Sequence, residues 1–194
     1  SVSSSVEYQI NKRFSLNGNL SFYSRAPEIN ELFSNGLHQG VSGLEIGDIN
    51  LKSEYALKAL VQAKFKLNDV FDISYRTYYQ HIYNYIYLNP ENEFVLTIRG
   101  AFPLYQYRQT TAGLFGNQLQ LNYKPVKQFA INATYSLLRG YDLSQKIPLI
   151  NMSPDDISLN LKYSFQSEKK FLSPSISVLS SYHFKQNHLL AYQD

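Results

Sequence analysis

Four ionisable residues between residues 27 and 52 are the best candidates for chemistry in this sequence. They are one histidine and three carboxylates, His38, Glu31, Glu45 and Asp48. Imidazole and carboxylate groups bind cations and polar ligands, so these side chains could contact a ligand. A soft-metal site is not predicted, because the chain has 4 His and no Cys. The alternative is that His38 is an ordinary exposed loop histidine and that the acids are structural.

Three further charged residues have weaker claims to a function. Arg99 lies in the stretch Leu-Thr-Ile-Arg-Gly that precedes a predicted strand, where it could face an interior and pair with an acid. Asp155 and Asp156 are adjacent, so their side chains would point to opposite faces of a strand, which is poor geometry for shared acid–base catalysis. We interpret them as a solvated loop end. The sequence has no nucleophile-elbow, P-loop, dinucleotide or zinc-protease motif, and therefore predicts no enzyme and no cofactor.

Composition and charge exclude several classes of protein. The 194 residues include 17 Tyr and 12 Phe, and only 17% are charged, against about 25% in a typical soluble domain. The net charge of +3 does not call for a nucleic-acid partner. No run of apolar residues is long enough for a transmembrane helix. No signal peptide opens the sequence, so we expect an exported protein to contain this chain as an internal piece.

Apolar and polar residues alternate through most of the chain, which predicts β-strands. Around the middle of one such run, Ala59, Val61 and Phe65 alternate with Gln62 and Lys64. The pattern predicts about eight strands, at about residues 2–10, 14–26, 53–67, 71–88, 103–123, 129–140, 155–165 and 171–186. Most of them exceed the about 9–11 residues that a tilted strand needs to cross a membrane.

The predicted connections alternate between short and long. Short polar turns at 11–13, 68–70, 124–128 and 166–170 are separated by longer segments at 27–52, 89–102 and 141–154. Short turns on one side and long loops on the other are typical of an outer-membrane barrel. Aromatic residues near both sets of connections predict two interfacial girdles, and the polar face of the strands would line the lumen. The alternative is a soluble β-sandwich with an aromatic core.

Charges are also sorted by side, with basic residues near the short turns and acidic residues near the long loops. An acidic mouth would enrich cations or cationic chelates. The alternative is that these acids only keep the loops soluble. The acids near the long loops are Glu28, Glu31, Glu45, Asp48, Glu54, Glu91, Glu93, Asp142, Asp155 and Asp156.

Several short motifs carry a family resemblance. The motifs are Arg25-Ala26-Pro27, Asn30-Glu31-Leu32-Phe33, Gly47-Asp48, Asn50-Leu51-Lys52 with Glu54, then Tyr107, Gln109, Ala112 and Gly116, and finally Ile147-Pro148-Leu149-Ile150. Together they resemble the barrel of TonB-dependent outer-membrane receptors over about residues 22–165. Ile49, Ser53 and Asn151-Met152 stand where that family often has proline, which affects loop geometry rather than class.

The resemblance implies both a fold and a function. The chain would be an all-β, antiparallel, up-and-down segment of a transmembrane barrel of roughly 22 strands. Residues 1–194 would be part of the barrel domain, with the plug domain outside this chain. Such a receptor lies in the outer membrane of a Gram-negative bacterium. It binds a scarce nutrient, typically a ferric siderophore or another metal chelate, and the TonB complex drives uptake by acting on the plug.

Three expectations follow for individual elements. His38, Glu31, Glu45, Asp48 and Arg99 would contact the ligand from loops or lumen. A helical turn is predicted at Ile29–Phe33, where the preceding Pro27 favours helix initiation. The sheet should stay open, with the first and last strands not paired to each other. A passive porin or adhesion barrel, or a soluble ligand-binding β-protein, are the alternative functions.

Overall fold

The computed structural model describes residues 1–38, 40, 42–165 and 174–186. Eleven strands and one short helix account for most of this part of the chain. The strands are β1 Val2–Asn11, β2 Phe14–Arg25, β3 Asn35–His38, β4 Gly43–Ile46, β5 Glu54–Lys66, β6 Phe71–Thr97, β7 Gly100–Val126, β8 Phe129–Asp142, β9 Ile147–Pro148, β10 Asp156–Ser164 and β11 Ser175–His183. The helix α1 spans Ile29–Phe33 and confirms the predicted turn.

Eight of the strands form one antiparallel sheet in sequence order, β1–β2–β5–β6–β7–β8–β10–β11. This order confirms the predicted up-and-down fold. The three short strands are additions, because β3 pairs with β4, β4 pairs with β7, and β9 pairs with β8. Within the described residues no ladder joins β1 to β11, so the sheet is open as predicted. The predicted turn at 166–170 and the start of the last predicted strand, residues 171–173, lie outside the described residues.

The two faces of the sheet have opposite chemistry. On one face, apolar side chains such as Leu20, Val61 and Phe115 are exposed, Val61 with 51% of its surface. On the other face, polar side chains bond to each other, as where the Gln62 amide donates to the Ser74 hydroxyl at 2.9 Å. An extended apolar face is suited to lipid, and a polar face to a wet lumen. The described part of the chain has no helix long and apolar enough to cross a membrane.

The predicted loop at 89–102 was wrong, because β6 and β7 continue through it as a hairpin. Each of these strands has 27 residues, and their ladder runs up to the pair Thr97 and Gly100. The ladder of β7 with β8 begins only at Ala112, opposite Asp142. Residues 85–111 therefore rise beyond the neighbouring strand, and we call them the hairpin extension.

The side on which each connection lies can be tested with single cysteines, because the chain has none. In full-length protein with any other cysteine removed, in intact cells, Ser42→Cys should react with a membrane-impermeant maleimide and Asp69→Cys should not. The reason is that Ser42 lies in a long loop, whereas Asp69 lies in the short turn between β5 and β6 at the opposite end of the strands. Both should react once the outer membrane is permeabilised. Reaction of Asp69→Cys in intact cells would contradict this orientation.

Candidate functional site

The long connection between β2 and β5, residues 26–53, is a folded unit that we call the mouth loop. It contains α1 and the antiparallel β3–β4 pair. Gly47 allows these parts to pack, because a Cβ at this position would lie 2.6 Å from the backbone carbon of Leu32. The Gly47 amide donates to the Ser34 carbonyl at 2.7 Å. The mouth loop is thus held by its own backbone as well as by side chains.

Arg25 fastens the mouth loop to the end of the sheet. It is the last residue of β2 and lies opposite Glu54, the first residue of β5. The Arg25 guanidinium donates from Nη1 to both oxygens of Glu31, at 3.0 and 2.9 Å, and from Nε to Glu54 at 2.9 Å. Both carboxylates are nearly buried and accept one backbone bond each, Glu31 from the amide of Glu28 and Glu54 from that of Ile86. Charge-assisted bonds of this kind are among the strongest in proteins.

Gln109 fastens the other end of the mouth loop to the hairpin extension. Its amide nitrogen donates to the carbonyls of Lys52, at 2.6 Å, and Asn84, at 2.9 Å, while its oxygen accepts from the Lys52 amide at 2.9 Å. Asn84 has a left-handed backbone, with φ of 55°, at a shift in the β6–β7 register. Its side chain donates to the Ser53 carbonyl at 3.1 Å. Sequence reasoning singled out Gln109 only through the family resemblance.

Glu45 joins the β3–β4 pair to the hairpin extension. It lies on β4, which runs parallel to β7 with Glu45 opposite Tyr105. Its buried carboxylate lies 3.4 Å from His38 Nδ1 and accepts a long bond from the Tyr107 hydroxyl at 3.5 Å. Tyr107 also accepts from the Asn30 side chain at 3.3 Å. Burial and the nearby Glu45 charge raise the pKa of Tyr107, which therefore keeps its proton and remains a donor.

The structure brings four of the predicted ligand residues together in the mouth loop. Glu31 and Glu45 are buried, and Asp48 accepts bonds from the backbone and side chain of Asn50 at 2.8 and 3.0 Å. The Asp48 amide donates to the Glu31 carbonyl at 2.9 Å. His38 has 63% of its side chain exposed. Within the described residues no three His, Asp or Glu side chains are grouped to hold a metal ion.

Arg99, the fifth predicted residue, lies apart from this group. Arg99 directly precedes β7, as expected, but it lies with Ile98 at the tip of the β6–β7 hairpin and not on the lumen face. The Arg99 amide donates to the Thr97 hydroxyl at 3.1 Å, and the residue is exposed. The hairpin continues through the predicted loop and carries Arg99 outward. Its contact with a ligand stays a prediction.

Asp155 is not the solvated loop end that the sequence indicated. Its carboxylate accepts two bonds from the Arg139 guanidinium, at 2.5 and 3.0 Å, and one from the Tyr135 hydroxyl at 3.0 Å. The connection between β8 and β10 folds back against β8, where the Leu149 amide donates to the Gly140 carbonyl at 2.9 Å. This return brings Asp155 to Arg139, 16 residues earlier in the chain.

Arginines neutralise much of the acidic charge around the mouth. Arg25 holds Glu31 and Glu54, and in the hairpin extension Arg108 lies 2.8 Å from Glu91. With Asp155 bound to Arg139 and Glu28 3.9 Å from Arg25, five of the acids that suggested an acidic mouth have an arginine partner. The mouth therefore has fewer unpaired carboxylates than the sequence alone indicated, which weakens the predicted enrichment of cations there.

An open sheet of long meandering strands, apolar outside and polar inside, is the structure of a membrane-barrel segment. The sequence profile described as "TonB dependent receptor-like, beta-barrel" matches residues 1–187. The chain therefore belongs to the TonB-dependent receptor β-barrel family. A comparison with curated proteins finds no match.

Solved structures show the same fold at low sequence identity. The copper transporter OprC is 17% identical, with a TM-score of 0.70 over 95% of this chain and 26% of that one. The siderophore receptor PirA from Pseudomonas aeruginosa is 12% identical, with a TM-score of 0.58 over 95% and 36%. The pyoverdine outer membrane receptor FpvA of Pseudomonas aeruginosa PAO1 is 16% identical, with a TM-score of 0.56 over 84% and 22%. The chain thus spans about a quarter to a third of these proteins.

Proposed function

We propose that this chain forms part of the wall and mouth of a receptor in the outer membrane of a Gram-negative bacterium. The receptor imports a scarce nutrient, and we propose a ferric siderophore or another metal chelate as that nutrient. The family match over residues 1–187 carries the proposal. The names of the structural neighbours, which include a copper transporter and siderophore receptors, support a metal-related nutrient.

The described residues suggest two different roles for the five predicted ligand residues. His38 keeps 63% of its side chain exposed although its Nδ1 lies 3.4 Å from Glu45, and Arg99 is exposed, so both can approach a ligand from outside. Glu31, Glu45 and Asp48 are occupied by bonds within the protein, so we assign them the role of holding the mouth loop in shape. A fixed loop binds a ligand at a lower entropic cost than a loose one. The activity is binding and passage, with no bond made or broken.

Two partners of the proposed receptor lie outside this chain. One is a plug domain within the barrel, and the other is the TonB complex, which would act on that plug. The outer-membrane lipid is the third partner, in contact with the apolar face that carries Leu20, Val61 and Phe115. The polar face of the same strands would then line the path of the nutrient.

Uptake of a radiolabelled ferric siderophore by cells that express the full-length receptor tests the function. We expect saturable uptake that stops when a protonophore collapses the proton gradient, while binding at the cell surface persists. A passive porin would give non-saturable passage that the protonophore does not change, and this result would overturn the proposal. A panel of ferric and copper chelates as competitors would then identify the nutrient.

Substitution of His38 tests its assigned role in ligand binding in the same cells. His38→Ala should weaken surface binding of the labelled chelate about three- to tenfold, because a polar contact contributes about 1 kcal/mol. The matched control is Ser42→Ala, which changes an exposed residue of the same mouth loop. Equal affinities for both variants would remove His38 from the ligand site.

A further inference from the structure

The polar face of the sheet carries two cations and a tyrosine that line one cavity. Lys58 lies on β5, and Arg76 and Tyr78 are alternate residues of β6, the neighbouring strand. Alternate residues share a face, and the register places all three side chains on the face of Gln62. The Lys58 ammonium lies over the Tyr78 ring, 4.2 Å from its centroid. Cation–π attraction at this distance restrains the ammonium.

Gly116 on β7 fixes the position of the tyrosine. It is the cross-strand partner of Tyr78, and a Cβ at Gly116 would lie 2.3 Å from the ring carbon Cε1. The ring therefore occupies the space where any other residue would place its side chain. A ring held against the backbone of β7 gives the Lys58 ammonium a fixed platform. The sequence singled out Gly116 through the family resemblance without indicating this use.

Neither cation has a carboxylate partner within the described residues. Asp72 is four positions along β6 from Arg76, about 13 Å at the rise of a strand, and it is bonded to Asn122. Glu7 and Asp156 lie in the same cross-strand row as Arg76, but each is three strands away, or about 14 Å. Arg25, Arg108 and Arg139, by contrast, all have acidic partners. Lys58 is restrained by the Tyr78 ring, and neither Lys58 nor Arg76 has a carboxylate within ion-pair distance among the described residues, which makes this wall attractive to anions.

We propose that Lys58 and Arg76, with Tyr78, form an anion-binding subsite on the inner wall of the barrel. Its ligands are the negatively charged oxygens of a solute, such as the carboxylates or catecholates of an anionic metal chelate. The subsite borders a cavity of about 250 Å³, to which Gln118 and Ser136 add polar side chains and Asp156 adds one carboxylate, so two cations face a single acid there. The inference rests on the proposed function, because it specifies the charge of the solute that passes this wall.

Reaction rates at a single cysteine measure the charge of this wall without the nutrient. Gln118 is the cross-strand partner of Arg76 on β7, and Gln118→Cys would be the reporter in the full-length receptor, in a background without other cysteines. The reagents are a negatively charged and a positively charged methanethiosulfonate. With both cations present, the ratio of the anionic to the cationic reaction rate should exceed the same ratio measured with a free thiol in solution. Lys58→Gln with Arg76→Gln should lower the anionic-to-cationic rate ratio roughly tenfold.

The control is Lys162→Gln, which removes a lysine from the same face of the more distant strand β10 and should leave the ratio within twofold. An equal ratio with and without Lys58 and Arg76 would overturn the proposal. So would a lack of reaction with either reagent, because solutes would then not reach this wall.

A second measurement separates this inference from the proposed function. A gallium tris-catecholate trianion should slow modification of Gln118→Cys, and a neutral ferric tris-hydroxamate should not. Protection by both solutes alike would overturn the anion preference while leaving uptake intact. Failure of energy-dependent uptake with the rate ratio preserved would instead remove the proposed function.

Discussion

Replacing Val61 with arginine is expected to lower the free energy of unfolding by about 2–4 kcal/mol, the cost of a cation near the middle of a bilayer. Val61 lies in the middle of β5 with 51% of its surface exposed on the apolar face. Its cross-strand neighbours are Gly18 and Thr77, and neither can pair with the new charge. The change should lower the urea midpoint of the full-length receptor folded into lipid vesicles.

Gln62→Arg is the matched control, one residue further along the same strand. Gln62 lies on the polar face, where its amide donates to Ser74 at 2.9 Å. A charge there meets water and other polar groups, so we expect a loss below about 1 kcal/mol. Similar losses for the two variants would contradict the assignment of the two faces, because a strand places successive side chains on opposite sides.

Replacing Arg25 with methionine is expected to release the mouth loop from the sheet. The change keeps most of the side-chain volume but leaves the nearly buried carboxylates of Glu31 and Glu54 without their cation. Removal of one partner from a buried pair costs about 3–5 kcal/mol, and the partial exposure of Arg25 reduces this to about 2–3 kcal/mol. We expect a protease added to intact cells to cut the mouth loop at least tenfold faster.

Two variants show whether the guanidinium is responsible. Lys52→Met removes an exposed cation from the end of the same mouth loop, and proteolysis should stay at the wild-type rate. Arg25→Met combined with Glu31→Met removes one of the two carboxylates that Arg25→Met leaves without a cation. The double variant should therefore regain part of the resistance to proteolysis. If Arg25→Met alone is cut no faster than the wild type, the ionic network does not hold the mouth loop.

The sequence predicted the strands wherever one face meets lipid and the other meets water. There the faces differ, so residues such as Val61 and Gln62 must alternate. The prediction failed at residues 89–102, where the hairpin extension leaves the sheet and no longer needs an apolar face. Pro90 and the polar residues that follow it interrupt the alternation and resemble a loop, although the ladder with β7 continues past a register shift.

The position of the candidate site in the chain could be predicted from the sequence, but the contacts between its residues could not. The motif residues placed Glu31, Glu45 and Asp48 in one loop, yet part of the network that holds this loop lies far along the chain. Arg25 and Glu54 are 29 residues apart, and Glu45 and Tyr107 are 62 apart. Such pairs depend on the register of the strands and on the path of the mouth loop, which composition and periodicity do not contain.

The hairpin extension also determines what a large particle outside the cell would meet first. The 12 residues from Gly100 to the point where β8 joins can reach about 40 Å along the strand direction. At the tip, Leu96 and Ile98 are exposed at 84% and 104% of their surface. In the proposed receptor, an antibody or a phage fibre would therefore be able to reach this apolar tip from outside the cell. An epitope tag inserted between Ile98 and Arg99 would be displayed on living cells while leaving the sheet below undisturbed.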